Sequence, residues 1–124
     1  MSRRGLAALV FVLGLVGALP AGAHWTSPGQ VIAALQSPDA RGAYAVARVE
    51  RSESQPRLLV VSVGPGWSEI APEQRRQAAE RWRRHWRESV PSGVLALVDV
   101  DSARSLVSFD GAGRAWLRDA DTGR

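Results

Sequence analysis

Apolar residues fall along this chain in three rhythms, and each predicts a different kind of segment. The first is unbroken: Leu6 to Leu19 is an uncharged run of 14 residues behind Arg3 and Arg4, closed by Pro20 and the small residues Ala21-Gly22-Ala23. Such a run is too short to cross a ~30 Å hydrocarbon core and matches the ~7–15 residues of a signal-peptide h-region. Residues 1–23 are therefore expected to be a signal peptide cleaved near Ala23, with an uncleaved anchor as the competing reading. Residues 24–124 are then expected to form a single small α+β domain, periplasmic or secreted.

The second rhythm is nearly continuous over short stretches, as in strands with little solvent on either face. Arg57–Val63 and Val94–Val100 read this way, and the first suggests a central strand covered on both faces. Small and β-branched residues in Ala43–Glu50 predict a further strand opened by Gly42. Ser105–Phe109 and Arg114–Arg118 alternate, and Asp110-Gly111-Ala112-Gly113 between them is a hairpin turn, because Asp and Gly accept positive φ. Ser27-Pro28-Gly29-Gln30 carries a capping box with Pro at the first helical position, so a short helix follows with Val31, Ile32 and Leu35 inward and Pro38 as its stop.

The third rhythm is helical. Within residues 72–89, Ala78, Ala79, Trp82 and Trp86, with Val90 just beyond, recur at three- and four-residue steps and make one apolar stripe. The rest of this segment is mostly arginine and glutamate, with Glu73–Arg76, Glu80–Arg84 and Arg84–Glu88 at ion-pair spacing. The order is α-β-β-α-β-β-β. It predicts an α+β fold: a mainly antiparallel sheet of about five strands with one long helix on one face.

Composition narrows the function classes. There is no cysteine, so disulfides, thiol catalysis and cysteine-ligated metals are excluded, and packing alone holds the domain. Every basic residue is arginine, which fits a GC-rich, bacterial genome. Without Arg3 and Arg4 the chain carries 14 arginines against 12 acids, a balance that does not announce a nucleic-acid binder.

The candidate chemistry is sparse. His24, the first residue after cleavage, would offer an amine and an imidazole; with His85 it makes copper binding an alternative function. A second alternative is a membrane-surface binder that uses the Arg/Trp helix 73–90. Asp99 and Asp101 share a strand face but end at a turn, where Asp caps routinely. Gly64-Pro65-Gly66-Trp67 lies where phosphate loops occur, yet lacks the Lys-Ser/Thr pair, and Glu69 and Glu73 would repel an anion. No serine carries a nucleophile's signature. No catalytic residue, metal site or cofactor is expected, and the chain is not expected to be an enzyme. Arg114, Trp116 and Arg118 alternate onto one face of the last strand, either as a self-contained cation–π arrangement or as a partner-binding face, since Trp and Arg are enriched at interface hot spots. The expected function is a non-enzymatic accessory protein that binds a protein or an anionic envelope component.

Overall fold

Helix α1, Pro28–Leu35, begins as its sequence requires. The Ser27 hydroxyl accepts from Gln30 N–H, and the Gln30 side chain accepts in return from Ser27 N–H, both at 3.2 Å. Val31 and Leu35 are buried and Ile32 partly so. The computed structural model describes residues 27–118; residues 1–23, which the sequence leads one to expect as a signal peptide, and His24 and the last six residues lie outside them.

Pro38 does end α1, but it also starts a second helix. Helix α2 spans Pro38–Tyr44, with Ser37 accepting from Ala40 N–H at 3.3 Å and Asp39 in the first turn. Gly42 therefore sits inside a helix rather than opening a strand, and strand β1 begins only at Val46, running to Arg51. Strand β2 is Leu58–Val63. A 3-10 turn at Pro65–Glu69 leads to helix α3, Pro72–Ser89, and then to β3 (Val94–Asp99), β4 (Val107–Phe109) and β5 (Ala115–Leu117).

The fold is α+β with one long helix, and its strand arrangement differs from the expectation in two respects. The five strands form two sheets, one ordered β1-β2-β3 and one a β4–β5 hairpin. The first is mixed: β1 and β2 are antiparallel, while β2 and β3 are parallel, with Leu58 opposite Val94 and Val63 opposite Asp99. The reason is that α3 carries the chain back to the starting end of β2, which makes β2-α3-β3 a βαβ unit. The two sheets are linked by an isolated Val98–Ser105 bridge. Leu106 N–H donates to Leu97 C=O at 2.8 Å, but Leu106 C=O accepts from Arg118 N–H at 2.8 Å, so the hairpin takes over where β3 would have continued the ladder.

The core lies between this sheet and the helices. Leu59, Val61, Val63, Leu95 and Leu97 are buried beneath the apolar stripe of α3. On the opposite face of the sheet Leu58, Val60, Ala96 and Val98 are half-buried and Ser62 is buried, so among the described residues the second face of β2 is covered fully only toward its end. Trp86 is fully buried, and its indole N–H donates to Arg57 C=O at 2.8 Å, tying α3 to the start of β2. Trp82 meets the Tyr44 ring edge-on with centroids 5.4 Å apart, and Trp67 folds over it at 6.1 Å. Trp67 thus closes the core from the 3-10 turn. At Gly93 a Cβ would stand 2.7 Å from Trp86 Cδ1, so only glycine admits the indole there.

Candidate functional site

The hairpin β4–β5 seats on α3 through polar contacts. Glu80 Oε2 accepts from Ala115 N–H at 2.8 Å, and the Arg83 guanidinium lies 5.4 Å from the Phe109 ring centroid. The turn is the one its sequence predicts. Asp110 Oδ1 accepts from Ala112 N–H at 2.8 Å and Arg114 N–H at 2.9 Å. The Asp110 carboxyl is held below its ordinary pKa, chiefly by the Arg114 backbone N–H, with help from Ala112 N–H and the Trp116 indole. Gly113 has φ of +88°, so the backbone favours glycine, and the tip of the Arg83 side chain rests where a Cβ would stand.

This seating decides where the last strand points. Ala115 is buried and Leu117 half-buried, whereas Arg114, Trp116 and Arg118 face outward, with Trp116 60% exposed. The alternation is as expected from sequence, but the cation–π arrangement is not. Among the described residues the cation–π contacts join Arg51 to Trp86, Arg81 to Tyr44 and Arg83 to Phe109, and none involves Trp116.

The α3 ion pairs expected from spacing form only at Glu73–Arg76. Glu80 is turned away to the Ala115 amide, and Glu88 to His85, whose Nδ1 is 3.5 Å from its Oε1. As a result Arg84, Arg87 and Arg114 make no salt bridge among the described residues. Together with Arg83 they border a cleft of about 410 Å³ between α3 and the hairpin turn, in which Glu80 and Glu88 are the only acids. The sequence shows Arg83, Arg84 and Arg87 on one flank of the stripe; that Arg114 joins them depends on hairpin docking, which no local pattern encodes.

The remaining candidates resolve into structural roles. Asp99 Oδ2 accepts from Asp101 N–H at 3.0 Å, Ser102 N–H at 2.8 Å and Ser102 Oγ at 3.0 Å. Those bonds, led by the Ser102 N–H, lower the Asp99 pKa and make it a turn cap rather than half of an acid–base pair. Gly64-Pro65-Gly66-Trp67 enters the 3-10 turn and places Trp67 in the core. His85 is half-buried; desolvation lowers its pKa against the opposing pull of Glu88. Whether it meets His24 falls outside the described residues, among which no group of three metal-ligating side chains assembles. Trp82 and Trp86 are in the core, which leaves only the arginines of α3 for a membrane surface. No helix among the described residues is long and apolar enough to cross a membrane. Arg75, unlike the other arginines of α3, is buried, with its Nε donating to Ile70 C=O at 2.9 Å.

No protein-family model matches this chain, and neither the curated proteins nor the solved structures compared with it give a match.

Proposed function

We propose that this chain is an exported, non-enzymatic binding domain. Its partner, a protein or an anionic envelope component, places a negatively charged group in the cleft between α3 and the hairpin. The single observation behind this is the convergence of Arg84, Arg87 and Arg114 on one cleft without salt-bridge partners among the described residues. Guanidinium groups suit carboxylates and phosphates, because their paired N–H donors match two oxygens at once. Trp116, exposed beside Arg114, extends the surface with an apolar anchor of the kind that carries interface energy.

The test is a titration of the processed protein with inorganic phosphate, an acidic peptide and phosphatidylglycerol vesicles, followed through tryptophan emission with Trp116→Phe as the reference. Saturable binding to at least one of these is expected, and Arg84→Glu with Arg114→Glu should weaken it about tenfold or more at low salt. Binding unchanged in the double variant, or absent from all three titrations, overturns the proposal. The acidic peptide and the vesicle arms separate a protein partner from an envelope one.

A further inference from the structure

The two edges of the three-stranded sheet are treated differently. Strand β1 carries a register irregularity between Val46 and Arg48, and exposes Arg48, Glu50 and Arg51. Bulges and charges of this kind keep a free edge from pairing with another strand. Strand β3 has no register irregularity, and before its last residue, Asp99, it contains no charge and no proline; Val94 is 52% exposed.

Its outer edge is also unclaimed over part of its length. The amides of Val94 and Val100 point to β2, donating to Arg57 C=O at 2.8 Å and Val63 C=O at 2.9 Å, so Leu95, Leu97 and Asp99 present theirs to the other side. Asp99 N–H is taken by Arg104 C=O at 2.9 Å, and Leu97 C=O accepts from Leu106 N–H. Continuing that register would bring Val107 opposite Ala96 and Phe109 opposite Val94. It does not continue, because Leu106 C=O is engaged by Arg118 and Phe109 is drawn to Arg83. Among the described residues no backbone hydrogen bond extends the ladder beyond Leu97. What opens instead is a cleft of about 360 Å³ between β3 and β4. Val94, Leu95 and Ala96 form one wall, Val107 and Phe109 the other, and Arg83 and Arg87 line it from α3.

We infer that this cleft receives an extended acidic peptide segment, which adds to the open edge of β3 in the place vacated by β4. Backbone pairing to Leu95 and Leu97 would supply affinity, and the two arginines would select acidic side chains against the single carboxylate of Asp110 in the lining. A second copy of this chain is a poorer occupant, since edge pairing would bring its own Arg83 and Arg87 to the same place. The inference extends the proposed function and rests on it for the partner's charge alone; the strand-addition geometry stands on the hydrogen-bond pattern.

The test uses the processed protein and the peptide acetyl-Glu-Val-Glu-Val-Glu-amide, with its lysine counterpart and a version N-methylated at alternate residues. The acidic peptide should bind and shift the amide resonances of Leu95 and Leu97. Removing about two backbone hydrogen bonds by N-methylation should weaken it about tenfold or more. Arg87→Glu, at an exposed position, should weaken it comparably and favour the lysine peptide. Equal binding of the N-methylated peptide, or shifts confined to Arg84 and Arg114, would overturn strand addition while leaving the anion cleft intact. Absence of peptide binding, or self-association that blocks it, overturns it as well.

Discussion

The two halves of the molecule are held together by different physics. From α1 to β3 the contacts are aliphatic and aromatic: Leu59, Val61, Leu97 and Trp86 are all fully buried, and polar contacts such as the Trp86–Arg57 bond serve the packing. The β4–β5 hairpin buries only Val107 and Ala115 and is clipped to α3 by Glu80 and Arg83. Packing of the first kind is cooperative, because each side chain touches many others. A few polar clips fail one at a time. The hairpin should therefore open locally, with the α1-to-β3 body intact, at a free energy below that of global unfolding.

Loss of Trp86 should have the largest effect. Trp86→Ala should destabilise the whole chain by about 3–5 kcal/mol, since it leaves a large cavity and removes one of the two donors to the Arg57 carbonyl, and denaturant unfolding should show it as a global shift. If the change lowered only the protection of the hairpin amides, the division into two halves would be wrong. Glu80→Ala tests the other side. It should free the buried Ala115 N–H at about 1–3 kcal/mol, read as faster hydrogen exchange at residues 107–117 with little change in β2 and β3. Gly113→Ala should act in the same place through its positive φ, by about 1–2 kcal/mol in local opening.

The smallest effect is that of pH. Asp99 and Asp110 have folded pKa values lowered from 3.8 by turn hydrogen bonds, so the stability they contribute is full above that value. It is lost as pH falls through the lowered folded values, when both turns should loosen. His85 is lowered from 6.5, chiefly by desolvation, so the fold favours its neutral form. Its contribution is full above pH 6.5 and declines on acidification below that. A thermal melt series from pH 7 to pH 3 should show an early decline in the α1-to-β3 body and a later one in the hairpin. Asp110→Asn should remove part of the later decline.

What the sequence disclosed follows the same division. The capping box at Ser27, the tryptophan stripe of α3, the Asp-Gly turn and the outward alternation of Arg114, Trp116 and Arg118 are set within a few residues, where period and turn chemistry are decisive. Helix α2 was equally local: Ser37-Pro38 repeats the Ser27-Pro28 start signal, but no residue of α2 is buried, so no apolar period accompanies it. The parallel pairing of β2 and β3 had a visible sign in two continuous apolar strands flanking one long helix. The early end of the β3 ladder had none, because it depends on which of two donors reaches Leu106 C=O. The arginine cleft was hidden for the same reason, since Arg114 reaches it only after the hairpin has docked.

The parallel pairing has a consequence for how the chain assembles. Leu58 and Val94 become neighbours only after the whole of α3 has been laid down between them, whereas β1 and β2 can zip together at once. Until β3 arrives, the Arg57 carbonyl that receives the Trp86 indole also lacks its Val94 donor. A polypeptide emerging in order from its amino end thus has no complete hydrophobic centre until β3 is present, and it stays threadable up to that point.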